Sequence, residues 1–195
     1  LPHTIRGHEE LLSRLDARFT LCCRDMSSFE HVARHARHAD RLLADDMALS
    51  LDIGRLSART ASLRHRISLH FDRDWRKGRK KWRQALNLCR PDNEGLLKII
   101  RSDRERIDPE GGPEALDLPH HFRVMLGGRA GCEQVAFDLI HHLKPSKKIV
   151  TNRLHIAIAA ILLGVDLEVI DNTYGKLSAV LDFSLPGKVV VRASL

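Results

Sequence analysis

The sequence contains no long uncharged apolar run. The closest candidate, residues 156–170, is broken by Asp166 and Glu168, so no membrane-spanning helix is expected. Its first residues, LPHTIRGHEE, lack the apolar h-region of a secretory signal. The chain opens on Leu1 in place of Met, which predicts either processing or a piece of something longer. No Cys-x-x-Cys pair occurs among Cys22, Cys23, Cys89 and Cys132. This argues against a zinc site and for buried free thiols in a reducing, cytoplasmic setting. There is no Walker-type phosphate loop, no Gly-x-Ser-x-Gly elbow and no His-Glu-x-x-His metal helix. The segment Gly127-Gly128-Arg129-Ala130-Gly131 is only a glycine turn, weak as a phosphate loop. Internal repeats and low-complexity tracts are absent too.

What is present suits a globular protein. The 195 residues are 43% hydrophobic and 29% charged, enough apolar side chain to bury a sizeable core. The net charge of +7 favours anionic partners: nucleic acid, acidic lipid or phosphorylated substrates.

Strand and helix patterns alternate in the first 54 residues. Leu1–Ile5 reads as the end of a strand. Residues 8–19 carry Leu11, Leu12, Leu15 and Phe19 at helical spacing. Phe19–Cys23 reads as a strand, and Ser27 or Ser28 as the cap of a helix through Phe29, Val32 and Ala36. Met47–Leu51 reads as another strand. Residues 55–83 read as a basic, exposed linker, with seven basic residues and one acid in 73–83. Beyond it, Ala85–Cys89 is expected as a strand, Glu94–Arg104 as a helix, Asp108–Pro119 as a loop and Phe122–Leu126 as a strand. A helix over Cys132–Leu143, a strand at 147–152, a helix over Leu154–Leu163 closed by Gly164, a strand at 165–170 and a helix over Tyr174–Leu181 complete the pattern. The order predicts an α/β protein with two Rossmann-like parallel-sheet units, residues 1–54 and 84–195, joined by the linker. Ligands in such sheets sit beyond the strand C-termini.

Residues 147–176 concentrate the chemistry. A strand ends at Thr151-Asn152, and Arg153 and His155 follow at a helix mouth, where unpaired N–H groups attract anions. Arg153 offers a planar fork for phosphate or carboxylate, and His155 a group that exchanges protons near neutrality. The next loop brings Asp171, Asn172, Tyr174 and Lys176 to the same edge. Helix capping with a structural histidine is the other reading of these residues. His31, His35 and His38 share a helix face, but no carboxylate or cysteine is placed with them, and Arg34 and Arg37 repel cations; a solvated face is expected. In 73–83, Trp75 and Trp82 interleave with cations. That pattern fits single-stranded nucleic acid, a lipid-diphosphate acceptor, an anionic membrane surface or a solvated linker. The lack of an RRM, KH or zinc-finger pattern argues against a nucleic-acid module.

Taken in order, five segments resemble one family. LPHTI, CCRDMSSFE, ADDMALSLD, RPDNE, and TNRLH followed by VDLEVIDNTYGK resemble the conserved strands and loops of the polysaccharide pyruvyl transferases. Departures are His3 where the family has Gln, Asp25 for Glu and Phe29 for Tyr. The family also carries a further stretch with a Gly-Asp segment ahead of the first of these strands, so the resemblance implies an N-terminally truncated chain whose first unit is incomplete. It implies a glycosyltransferase-B-like pair of units and transfer of a pyruvyl group from phosphoenolpyruvate to a sugar of a surface polysaccharide or its precursor, forming a ketal. No cofactor or metal is implied. By this resemblance Arg24 and Arg153 hold donor phosphate and carboxylate, and His155 is acid/base or a phosphate ligand. Thr151, Asn152 and Asn172 join the substrate-binding set, Lys176 either approaches the donor or is a solvated helix residue, with the solvated reading favoured, and the acceptor is a glycan or lipid-linked sugar. A non-catalytic binder of phosphorylated sugar or nucleic acid, and another sugar transferase of the same architecture, remain the alternatives.

Overall fold

In a computed structural model the chain is described over residues 2–100, 118, 128–171, 175–185 and 190–192. Two parallel sheets organise it. The first pairs β1 (Thr20–Cys23) with β2 (Asp40–Leu43), and His3 adds a single parallel bridge to Cys23, the outcome of the expected LPHTI strand end. The second runs in the order β3 (Leu96–Ile99), β4 (Lys148–Thr151), β5 (Asp166–Ile170) and β6 (Val190–Arg192), all parallel. The protein is therefore α/β with two small parallel sheets, consistent with Rossmann-like units.

Local chemistry accounts for several departures from the sequence reading. The first helix, α1, covers only Glu9–Ser13. Asp16 ends it by building a turn, its carboxylate accepting from the Arg18 N–H at 3.0 Å. Helix α2 (Met26–His35) is capped by Asp25 and not by a serine. The fully buried Asp25 carboxylate accepts from the Ser28 N–H and from Ser28 Oγ, each at 2.8 Å. The residues expected as a strand, Met47–Leu51, form a 3₁₀ turn over Met47–Ser50, because the Asp46 side chain accepts from the Ala48 N–H. The strand is Asp40–Leu43 instead. Its polar start and exposed Leu42 conceal it from any hydrophobic pattern, and pairing with β1 decides it.

The expected linker is helical: α3 (Ile53–Thr60), α4 (Leu63–Phe71) and α5 (Arg73–Leu88). Charge density misleads here, because α5 buries one narrow stripe, Trp75, Gly78, Trp82 and Ala85, at three- and four-residue spacing. Ala85–Cys89, expected as a strand, is the end of that helix and its cap. Residues 96–99 are a strand, not a helix. Asp92 folds the preceding turn back by accepting from the Glu94 and Leu96 N–H groups, and β4 supplies the ladder that outweighs helix propensity. The expected loop at 108–119, save the buried Leu118, and the strand at 122–126 lie outside the described residues, as does the end of the expected helix 94–104.

All three helices pack on α6 (Arg129–Leu143). Trp82, fully buried, donates its indole N–H to Asp138 Oδ2 at 3.1 Å. The buried His65 meets Gln134 Oε1 at 3.2 Å, and Arg59 pairs with Glu133 at 2.9 Å. The glycine turn ahead of α6 is resolved by the same packing. Asp72, at the junction of α4 and α5, accepts from the Gly131 N–H at 3.0 Å. A Cβ at Gly128 would lie 2.0 Å from Asp72 Oδ2, and one at Gly131 2.9 Å. These glycines make room for the protein's own carboxylate at a helix mouth, which accounts for them without a phosphate.

The remaining helices follow the sequence reading closely. Helix α7 (Leu154–Leu163) ends at Gly164 in the left-handed region, φ 67°, a position that favours glycine. Helix α8 spans Lys176–Ser184. The main core joins Trp75, Trp82, Leu97, Ile99, Leu143 and Ile149, and Ala157, Val169, Leu177 and Leu181 pack together between α7, β5 and α8. No helix among the described residues is long and apolar enough to cross a membrane.

Candidate functional site

The two sheets meet through residues just beyond their strand C-termini. Arg24 directly follows β1, Asp46 lies in the loop after β2, and His155 opens α7 after β4. The 3₁₀ turn at Met47–Ser50 packs on α7, and this contact carries Asp46 to the helix mouth. Arg24 donates from Nη1 to Asp46 Oδ2 at 2.7 Å and from Nε to Thr4 Oγ1 at 3.0 Å. His155 Nε2 stands 3.9 Å from the same Asp46 oxygen. The His155 side chain is 70% exposed, whereas that of Asp46 is 7% exposed. A buried carboxylate thus holds a guanidinium and an open imidazole on one spot.

The carboxylate stays ionised. Burial alone would push the Asp46 pKa up, but the Ala48 N–H, the Arg24 hydrogen bond and the charges of His155 and Arg24 together hold it below the ordinary value. Asp46 therefore contributes stability that is full above the unfolded carboxylate pKa, near ~3.9, and is lost as pH falls through the folded value. Asp46→Asn is expected to lower stability at neutral pH by about 1–3 kcal/mol, the cost of leaving a part-buried guanidinium without its charged acceptor. The difference from the unaltered protein should shrink in acid. Urea denaturation at neutral and acid pH checks this; a difference independent of pH would refute it.

Of the expected site residues, Arg24 and His155 are brought together. Thr151 and Asn152 are buried at the end of β4. Thr151 Oγ1 donates to the Ile99 carbonyl at 2.7 Å and accepts from the Arg153 N–H at 3.0 Å, so it fixes the strand end that presents the helix. Arg153 is the N-cap residue of α7, with no side-chain cap on the helix, two positions ahead of His155. Lys176 is the first residue of α8. Asn172 lies outside the described residues. Asp171 serves α8, accepting from the Leu177 and Ser178 N–H groups and from Ser178 Oγ. Asp46 itself was not singled out by sequence; its signal was its place in the ADDMALSLD segment.

Two of the thiols, Cys23 and Cys89, are unsuited to nucleophilic work. Burial first, then the Asp25 and Cys22 charges, push Cys23 up to about 11, and burial pushes Cys89 up to about 12. Cys22 is half-buried and Cys132 exposed, so the expectation of buried thiols holds for Cys23 and Cys89. The histidine face also differs from expectation: Glu9 of α1 comes alongside His31 and His35, their ligand atoms within 4.8 Å of one another. His38 is not among them. His31 Nε2 is hydrogen-bonded to the Gly7 carbonyl at 3.0 Å, so this ring nitrogen would have to exchange that bond for a metal.

No family model matches the chain, and no curated protein matches it. Among solved structures, an uncharacterised protein from Klebsiella pneumoniae subsp. pneumoniae is similar over 100% of this chain at 22% identity, with a TM-score of 0.60. The chain spans 62% of that protein's length. At this identity the likeness speaks for the fold alone.

Proposed function

We propose that the protein moves a pyruvyl group from phosphoenolpyruvate to two hydroxyls of a sugar in a surface glycan or its precursor. Its two sheets would be halves of a glycosyltransferase-B-like arrangement with the donor between them. The observation that carries this reading is the meeting of Arg24 and His155 at Asp46, between the C-terminal edges of two parallel sheets. The donor carries a phosphate and a carboxylate close together. Such a head needs fixed cations and a proton donor, and needs them where strand ends and a helix mouth already favour anions.

In this mechanism Arg24, held by Asp46 and Thr4, and Arg153, at the mouth of α7, bind the two acidic groups of the donor. His155 delivers a proton to the vinyl carbon, which becomes a methyl group as positive charge develops at the central carbon. The first sugar hydroxyl bonds there, the C–O bond to phosphate breaks, and phosphate leaves. The second hydroxyl closes the ketal. Of the two hydroxyl protons, one replaces that spent by His155 and one leaves with phosphate. Asp46 stays ionised throughout and keeps Arg24 in place beside His155.

Calorimetric titration tests the reading. Phosphoenolpyruvate should bind at about millimolar or tighter, and Arg24→Ala should weaken it. Binding of a nucleotide sugar with none of phosphoenolpyruvate would favour another sugar transferase of this architecture and overturn the reading. Binding of phosphorylated sugar alone would favour a non-catalytic binder.

A further inference from the structure

Residues 55–83 hold eleven Lys and Arg and two acids, an excess of nine positive charges where the whole chain has an excess of seven. The rest of the molecule is slightly acidic, so the basic character resides in α3–α5. Helices α4 and α5 both turn their inner faces onto α6: His65 of α4 reaches Gln134, and Trp82 of α5 reaches Asp138. Their outer faces therefore both turn away from that helix, on two helices that contact one another and are joined by Asp72 alone.

Those outer faces differ in kind. On α5 every Lys and Arg between 73 and 83 is exposed, and Arg73, Arg76, Lys77 and Arg79 line a shallow open hollow. Of the two acids, Asp72 is committed to capping α5 and to the Gly131 N–H. On α4 the outer face is apolar: Leu63, Ile67 and Phe71, at i, i+4 and i+8, are 70%, 51% and 78% exposed. The apolar residues on its inner side are accounted for by Leu69, packed on the core. An apolar stripe beside a field of cations is the pattern of a surface that enters the boundary between headgroups and acyl chains.

We infer that the outer faces of α4 and α5 form a docking surface for an anionic lipid bilayer, with Leu63, Ile67 and Phe71 inserting and the α5 cations meeting lipid phosphates. Single-stranded nucleic acid, the other polyanion this composition suits, would need aromatic rings on which bases stack. Trp75 and Trp82 are 6% and 0% exposed and face the core. The exposed apolar stripe has no counterpart in phosphate-backbone recognition. This inference stands apart from the chemistry at Asp46 and does not depend on it.

Cosedimentation with vesicles tests it. The unaltered protein should bind vesicles of mixed phosphatidylglycerol and phosphatidylcholine, release in high salt, and ignore pure phosphatidylcholine. Each basic side chain near an anionic surface strengthens partitioning about fivefold, so Lys77→Gln, Lys80→Gln and Lys81→Gln together should weaken it about 100-fold. Ile67→Ser with Phe71→Ser should weaken it at least about tenfold, from lost apolar insertion. All five positions are exposed, so both variants should melt like the unaltered protein. Equal binding to both vesicle types, or no binding by the unaltered protein, overturns the inference without calling on any variant. So does an apolar variant that binds as tightly as the original. Tight binding of a single-stranded oligonucleotide without vesicle binding assigns the surface to nucleic acid instead.

Discussion

Trp82→Ala should lower stability by about 3–5 kcal/mol, the range for truncating a buried aromatic in a packed core. For a chain of this length that corresponds to a fall of about 6–20 °C in the thermal midpoint. The side chain is fully buried and packs among Leu97, Ile99, Leu143 and Ile149 at the junction of α5, α6 and the larger sheet. The indole N–H adds a smaller component, because Asp138 also accepts from Gln134 Nε2 at 2.7 Å and keeps one partner when the indole is gone. Trp82→Phe should therefore cost only about 1–2 kcal/mol. If alanine and phenylalanine cost the same, the indole hydrogen bond rather than packing would be what holds α5, and the core described here would be wrong.

In the pyruvyl transfer proposed above, His155→Ala should lower turnover about 10²–10⁴-fold, the usual contribution of one positioned acid–base group. His155 is mostly exposed, so its removal should leave the melting temperature near that of the unaltered protein. The donor should still bind if Arg24 and Arg153 hold it, so the loss should fall on kcat more than on KM. Arg153→Ala should abolish detectable transfer and weaken calorimetric binding of the donor, with the fold intact. Asp46→Asn should raise the KM for the donor more than it lowers kcat, because Arg24 loses the charged acceptor that orients it. Turnover of His155→Ala or Arg153→Ala equal to that of the unaltered protein would remove these residues from the reaction. Binding of phosphoenolpyruvate without any effect of either substitution would place the donor elsewhere.

The last third of the described chain was readable because its patterns are local. The helix over Leu154–Leu163 is apolar at every position but His155 and Gly164 in the left-handed region stops it; 165–170 alternates at period two; both agree with the structure. Arg153 and His155 were visible for the same reason, since a strand end followed by a helix start already places them at a ligand edge. The middle misleads. In α5 a narrow apolar stripe supplies the burial while cations cover the rest, so composition pointed to a solvated linker and only α6 reveals the inner face. At Leu96–Ile99 local propensity favoured a helix, and the ladder with β4 outweighed it.

Composition and periodicity by themselves determined an α/β chain with parallel strands, an excess of positive charge, no apolar stretch suited to spanning a membrane, and a helix mouth furnished with Arg153 and His155. Only tertiary structure decided that Asp46 would bind Arg24 while standing beside His155, that Asp72 would occupy the glycine turn before α6, and that the basic helix would bury both its tryptophans. The reason is physical: helix and strand periods arise between neighbours in sequence. A carboxylate in the loop after β2 finds its partners from β1 and α7 only when packing removes water and brings separate strand ends to one place.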